Sequence, residues 1–279
     1  MPSRHSIHRR DALQTGHKRL LAPILCAALT MTIAATAAAS EPARRLIEMT
    51  ALAHEVAFDI EQNRRQIVEQ CRASEWCGVH GLEVLEAVER ADQRLQLGSI
   101  AIPRVAEIFE HLDLETVQTI VEFYQSPLGR KVVELETAAR TQAVLDDVAA
   151  NGEEIYLRQS DERHALLESV DSISDTRALQ RQLDRYAGRV VDWVAEQAQS
   201  SGQAPVEPVG TKGDRYLGVY QWLCLTYEPL DDQELQAYVD FLDSKGGSNW
   251  VNARQEVRRA AAKETARPIL QQLIERLGK

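Results

Sequence analysis

Apolar residues recur at intervals of three and four along most of the chain, which is the spacing of one face of an α-helix. The clearest of these stripes consists of Leu179, Leu183, Tyr186, Val190 and Trp193. Strand-like alternation of apolar and polar residues is absent from the sequence. Because each amphipathic helix must cover its apolar face, the pattern predicts an all-α fold, a multi-helix bundle.

The first 39 residues have the composition of a secretory signal peptide. Residues 1–19 carry five basic residues and one acid, and an alanine-rich apolar run follows them and ends in Ala37-Ala38-Ala39. This order predicts export and cleavage after residue 39, and the alternative is an uncleaved membrane anchor. We expect the mature protein in the periplasm, without a membrane span.

The remaining residues are strongly acidic. Without residues 1–39, 27 basic and 41 acidic residues remain, a net charge of −14. An acidic body without a basic stripe argues against nucleic acid or an anionic membrane surface as the partner. The sequence specifies no oligomeric state.

Three cysteines remain in the mature chain, and an exported protein favours disulfides. Cys71 and Cys77 are six residues apart, which in one continuous helix would separate them by about 9 Å, beyond disulfide reach. A disulfide between them therefore requires a helix break near Ser74, and two buried thiols are the alternative. Cys224 lies in an apolar stretch and is interpreted as a core thiol.

One segment occurs twice in the chain. Residues 112–133 (LDLETVQTIVEFYQSPLGRKVV) align without a gap on residues 230–251 (LDDQELQAYVDFLDSKGGSNWV), with eight of 22 residues identical. The corner residues of the first copy are Phe123, Tyr124, Ser126, Pro127 and Gly129, and the second copy repeats three of them as Phe241, Ser244 and Gly247. The repeat predicts two related helical-hairpin modules.

Each repeated residue suits a corner between two helices. An aspartate can cap the first helix, the serine can cap the second, and proline is tolerated at the first position of a helix. The glycine permits close approach at the bend, and the phenylalanine supplies an apolar wedge. The alternative interpretation is an anion site at the helix starts, assisted in the first copy by Arg130 and Lys131.

The first copy, with VEFYQSPLGRK at its centre, resembles the bacterial envelope family catalogued as domain of unknown function 2059. The hallmark of that family is an acidic helix start, then Phe-Tyr-x-Ser-Pro-x-Gly, then a long helix. In the second copy Leu242 replaces the tyrosine and Lys245 replaces the proline, so we interpret it as a diverged duplicate. The resemblance implies an exported helical protein and transfers no catalytic residue.

Ser, Gly and Pro collect at residues 200–214, which we interpret as a linker. This divides the mature chain into an N-terminal helical domain, residues 40–199, which contains the first module, and a C-terminal module, residues 215–279.

No sequence motif assigns a catalytic, cofactor-binding or metal-ligating residue. HEVAFD at residues 54–59 lacks the second histidine of a metal-binding helix. The aromatic residues Tyr216, Tyr220, Trp222 and Tyr227 are interpreted as core packing or as a groove for a peptide, a helix or a lipid chain.

We therefore expect a non-catalytic envelope protein that binds or supports a protein partner through helix faces. The alternatives are an enzyme whose site is assembled across several helices, and a periplasmic carrier of lipids or small molecules. A polar cluster in a deep pocket would favour the enzyme, a large apolar cavity would favour the carrier, and an exposed apolar groove would favour partner binding.

Overall fold

The computed structural model describes residues 43–73, 75–94, 97–202 and 214–277. The described residues form twelve helices and no strand, which confirms the predicted all-α multi-helix fold. In chain order the helices are α1 (43–49), α2 (Leu52–Ala73), α3 (Glu75–Arg94), α4 (Leu97–Phe109), α5 (Leu114–Gln125), α6 (Pro127–Ala138), α7 (Gln142–Leu157), α8 (Asp161–Ser174), α9 (Thr176–Ser200), α10 (Asp214–Tyr227), α11 (Asp232–Asp243) and α12 (Lys245–Leu277).

The last helix, α12, runs through two hydrophobic cores. It has 33 residues, which corresponds to a length of about 50 Å. Trp250 and Val257 in its first half belong to the larger core, together with residues of α4, α5, α8 and α11. Ala266 and Leu273 in its second half belong to a smaller core formed with α2, α3 and α9. The final helix therefore contributes to both cores and connects them.

Helices on both sides of the predicted linker pack against each other. Helix α10 packs on α7, and α12 packs on α9, α3 and α2. Most of the predicted linker, residues 203–213, lies outside the described residues. The domain boundaries stay a prediction, but the described helices of the C-terminal module share their cores with helices of the N-terminal part.

A disulfide closes the turn between α2 and α3. Cys71 and Cys77 have their sulfur atoms 2.02 Å apart and their Cα atoms 5.4 Å apart. The helix ends at Ala73 and a new one begins at Glu75, which brings the two Cα atoms within disulfide range. Both cysteines are buried against the smaller core, so the disulfide anchors the end of α2 and the start of α3 to it.

Candidate functional site

The two repeated corners have the same backbone geometry. Ser126 has φ −68° and ψ 161°, and Ser244 has φ −64° and ψ 159°. The hydroxyl of Ser126 accepts a hydrogen bond from the amide of Gly129 at 3.0 Å, and that of Ser244 accepts one from Gly247 at 3.0 Å. Each serine therefore ends one helix and caps the next, and Pro127 occupies the first position of α6.

The two corner glycines have no room for a side chain. A Cβ atom on Gly129 would lie 2.0 Å from the carbonyl oxygen of Phe123, and one on Gly247 would lie 1.9 Å from that of Phe241. Contacts this short with backbone atoms cannot be relieved by turning a side chain. The glycines are thus required because the preceding helix ends directly against the next one.

The two corners contact each other across the larger core. The rings of Phe123 and Phe241 lie parallel, with centroids 3.7 Å apart and an interplanar angle of 2°. The buried ring of Tyr124 meets Phe241 edge-on at 5.7 Å. Two copies of one motif, separated by more than a hundred residues in the chain, therefore form one contact.

Two ion pairs flank the stacked rings and connect the corners reciprocally. The ammonium group of Lys131, on α6, lies 2.5 Å from the carboxylate of Glu234, on α11. The ammonium group of Lys245, on α12, donates to the carboxylate of Asp113, which caps α5. The hydrogen bond from Lys245 lowers the pKa of Asp113, and that from Lys131 lowers the pKa of Glu234.

The basic residues of the first corner bind other parts of the protein. Arg130 donates to the backbone oxygen of Gln125, and Lys131 is paired with Glu234. The anion-site interpretation of this corner assigned these two cations to a ligand. Their observed contacts instead stabilise the corner and its contact with the second copy.

A buried network of charged side chains lies beside residues of the larger core. Glu55 of α2 is fully buried and accepts hydrogen bonds from the guanidinium groups of Arg140 and Arg254. Its second oxygen accepts from Nε of Arg254 at 3.2 Å. Burial opposes ionisation of Glu55, but the neighbouring arginine charges outweigh it and hold its pKa well below the usual range.

A second buried carboxylate, Glu136 of α6, connects four helices. Its Oε1 atom accepts hydrogen bonds from the hydroxyls of Tyr227 at 2.8 Å and Tyr238 at 2.9 Å. Its Oε2 atom lies 2.7 Å from Nη2 of Arg254. Burial, reinforced by the charge of Glu136, raises the pKa of both tyrosine hydroxyls well above their usual value. These tyrosines therefore stay neutral and act as donors.

A third pair extends the network along α2 and α12. Arg258 donates to both oxygens of Asp59, at 2.6 and 2.9 Å. Glu55 and Asp59 are one helical turn apart, as are Arg254 and Arg258, and each acid meets its arginine 199 positions later. The two helices therefore run parallel. Three carboxylates and three guanidinium groups make the network neutral.

None of these charged residues was identified from the sequence. A signal was present, because Glu55 and Asp59 stand among the apolar positions of α2, and Arg254 and Arg258 among those of α12. A charge on an apolar stripe indicates a buried partner but does not identify it. The partner depends on the relative directions of the helices, which the sequence does not specify.

The aromatic residues of α10 face different surroundings. Tyr227 is buried with Glu136, so it does not line an open groove. The indole nitrogen of Trp222 donates to the carbonyl of Ala139 at 3.0 Å, and Tyr220 stacks near His164. The side chain of Tyr216 lies outside the described residues.

The remaining thiol, Cys224 of α10, is fully buried in the larger core. Burial raises its pKa to about 11, so it is protonated at neutral pH. This environment is that of a packing residue and not that of a nucleophile. Among the described side chains, no group of three His, Cys, Asp or Glu residues is placed to hold a metal ion.

A concave surface lies between α8 and α11, with a volume of about 630 Å³. Ala165, Leu166 and Ala237 supply its apolar part, and the carboxylates of Glu162, Asp232 and Asp240 lie along it. No lysine or arginine is among its lining residues. We call this surface the α8/α11 groove.

These features define an all-helical protein built around two paired corners and a buried ionic network. Residues 101–155 match the family described as "Uncharacterized protein conserved in bacteria (DUF2059)". The match confirms the resemblance for the first corner, whereas the second copy at residues 230–251 lies outside the matched segment. No curated protein and no solved structure matches the chain. None of the described helices is apolar over a sufficient length to cross a bilayer.

Proposed function

We propose that this chain is an exported, non-catalytic protein that binds a protein partner of the bacterial envelope through the α8/α11 groove. The observation that carries this proposal is the combination of a concave apolar floor with an acidic rim in that groove. The N-terminal pattern and the disulfide support the periplasmic location, because disulfides persist in oxidising compartments.

The shape of the groove fits a helix better than a flat protein surface. Its two walls are helices, and the lining of α11 extends from Asp232 to Asp240, a rise of about 12 Å. That length matches roughly two turns of a docked helix. Two of the three apolar residues are alanines, whose small side chains let a partner backbone approach closely.

The charge of the groove defines the chemistry of the partner. Asp232 is paired with Arg163 at 2.7 Å, which leaves Glu162 and Asp240 without a cationic partner among the described residues. A basic amphipathic helix would place lysine or arginine against these rims and small apolar residues on the floor. The net charge of −14 on the chain without residues 1–39 would steer such a partner toward the protein.

The groove has a rigid support. Arg163 of α8 donates to the carbonyls of Tyr227 at 2.6 Å and Leu230 at 2.9 Å, and thereby holds α8 against the turn that leads into α11. The capping box of Asp231 and Glu234 fixes the start of α11. A preformed groove loses little conformational entropy on binding.

A peptide-binding assay tests the proposal. The probe is an amphipathic peptide of lysine, alanine and leucine, about 18 residues long, and the control peptide has glutamate in place of lysine. Fluorescence anisotropy should show that the mature protein binds the basic peptide, and that added salt weakens this binding.

Two double variants with the same charge change show whether the peptide binds in the α8/α11 groove. The double substitution Glu162→Lys and Asp240→Lys should weaken binding of the basic peptide by about tenfold or more. Asp147→Lys with Glu153→Lys makes the same charge change on the exposed face of α7 and should have little effect. Equal losses for the two double variants, or equal affinity for the acidic peptide, would overturn the proposal.

A further inference from the structure

Four basic side chains lie on the outer surface of α9 and α12. Arg185 and Arg189 are about one turn apart on α9, and Lys263 and Arg267 are about one turn apart on α12. All four are exposed, and none forms an ion pair or a side-chain hydrogen bond with another residue that the structure describes. We call these four residues the basic face.

Helices α9 and α12 lie side by side and run in the same direction. Gln255 of α12 donates to the carbonyl of Ser174, two residues before α9, at 2.6 Å. Further along both helices, Ala262 packs with Leu179 and Leu183. Because the contacts advance together along the two helices, α9 and α12 are parallel neighbours and their outer surfaces form one face.

The cations of the two helices point out of this pair on the same side. Arg185 and Arg189 each stand two positions from the buried Ala187, which places them opposite the buried side of α9. On α12, Arg258 bonds to α2, and Lys263 lies five positions later, about 140° around the helix. The basic face is therefore directed away from α2 and into solvent.

Acidic residues border the basic face without neutralising it. Glu256 is paired with an arginine of its own helix, and Asp184 accepts a hydrogen bond from a glutamine of α9. Glu264 stands two positions from Ala262, which contacts α9, so its carboxylate points away from that helix. On α9 the first acid after the face is Asp192. A local excess of positive charge thus remains on a strongly acidic protein.

We propose that the basic face binds the anionic phosphate surface of a lipid bilayer. The phosphates of a bilayer are spread over a plane, so cations that point in one direction reach them without a shaped pocket. A protein partner would also need an exposed apolar centre, whereas the neighbouring Tyr186 and Leu270 are half-buried in the smaller core. The proposal uses no residue of the α8/α11 groove and does not depend on the function proposed for it.

The acidic net charge of the chain does not prevent this contact. At an ionic strength of about 0.15 M the Debye length is about 8 Å, so carboxylates on the far side of the protein are screened. Cations that touch the lipid phosphates keep their attraction to them. The composition argues against an anionic membrane as the partner, but composition averages over the whole surface and does not describe this face.

Vesicle co-sedimentation tests the proposal with the folded mature protein. The probes are unilamellar vesicles of phosphatidylcholine with about 40% phosphatidylglycerol, and vesicles of phosphatidylcholine alone are the control. At about 0.15 M salt the protein should sediment with the anionic vesicles and not with the neutral ones. Raising the salt to about 1 M should release it, because the Debye length falls to about 3 Å.

Matched charge reversals locate the contact. Arg185→Glu with Arg189→Glu should weaken vesicle binding at least about tenfold. Arg104→Glu with Arg158→Glu makes the same change in net charge at exposed positions on α4 and after α7, and should have a much smaller effect. Arg185→Lys with Arg189→Lys keeps the charge and should retain binding. Circular dichroism establishes that each variant is folded.

Three results would overturn the proposal. The first is folded wild-type protein that stays in solution with the anionic vesicles. The second is an equal loss for the two double charge reversals, which would show that net charge and not the basic face governs binding. The third is binding to soluble polyglutamate without binding to vesicles, which would assign the basic face to an acidic protein.

Discussion

The rings of Phe123 and Phe241 stack in parallel with their centroids 3.7 Å apart, although 118 positions separate the two residues in the chain. They occupy equivalent positions in the two corners. The contact therefore relates the two copies by an approximate twofold arrangement, in which Lys131 reaches the start of α11 and Lys245 reaches the start of α5.

Truncating either ring should destabilise the whole fold. Phe123→Ala and Phe241→Ala should each lower the free energy of unfolding by about 3 kcal/mol, because each removes a packed ring from the larger core. The close parallel geometry leaves little offset between the rings, so we expect a coupling energy of only about 1 kcal/mol. Urea unfolding of the single and double variants measures both quantities. Strictly additive losses would contradict a direct contact.

The corner glycines should tolerate no Cβ atom. Gly129→Ala and Gly247→Ala should each destabilise the protein by at least about 2 kcal/mol, since the added carbon would overlap a backbone carbonyl. Gly188→Ala in α9 is the control, because no atom lies within 4 Å of its added Cβ. That substitution should be stabilising by up to about 1 kcal/mol through helix propensity. Similar denaturation midpoints for the three variants would contradict the corner geometry.

Loss of the buried carboxylate Glu55 should be costly. Glu55→Gln leaves the cations of Arg140 and Arg254 without their shared partner, and we expect a loss of about 3 to 5 kcal/mol in urea unfolding. Glu61→Gln on the same helix breaks an exposed ion pair with Arg65 and should cost less than about 1 kcal/mol. Equal effects would mean that the buried network does not stabilise the fold.

The stability that Glu55 contributes to the fold should decrease at acidic pH. Its pKa in the folded protein lies below the unfolded value of 4.5, so the folded state favours the ionised form. The stability that it contributes is therefore fully present above that pH and is lost as the pH falls from there toward the folded pKa. The stability difference between wild type and Glu55→Gln should shrink when urea unfolding is measured at successively lower pH. A constant difference would contradict the assignment.

The disulfide should contribute measurably to the stability of the fold, although the loop that it closes is short. Removing it with Cys71→Ser and Cys77→Ser should lower the stability by about 2 kcal/mol through a less restrained unfolded chain. The intact mass of the mature protein should be two hydrogens lighter than that of the fully reduced chain. Treatment with a reductant should lower the wild-type Tm and leave that of the double variant unchanged. A wild-type Tm insensitive to reductant would argue against the bond.

The corners could be predicted from sequence because their causes are local. A serine that caps a helix, a proline at the first helical position and a glycine against a carbonyl act within a few residues of one another. The meeting of Phe123 with Phe241 could not be predicted, because it depends on how distant helices pack. The sequence repeat would be equally compatible with two corners that make no contact with each other.

The buried network and the groove needed three-dimensional information for different reasons. Glu136 stands next to apolar positions of α6, but nothing in the sequence shows that Tyr227 and Tyr238 share its Oε1 atom. Ala165 and Ala237 line the α8/α11 groove only because two helices distant in sequence lie side by side. Small residues of this kind have no distinctive sequence pattern.

Site-specific photocrosslinking in the periplasm of the source bacterium tests the proposed function most directly. A photoreactive residue at Ala237, in the α8/α11 groove, should capture a specific protein through a segment rich in lysine or arginine. Capture should be lost with Glu162→Lys and Asp240→Lys, and absent with the photoreactive residue at exposed Ala149 on α7. Recovery of the chain from the cytoplasm with residues 1–39 intact, or capture that does not depend on the rim carboxylates, would contradict the proposal.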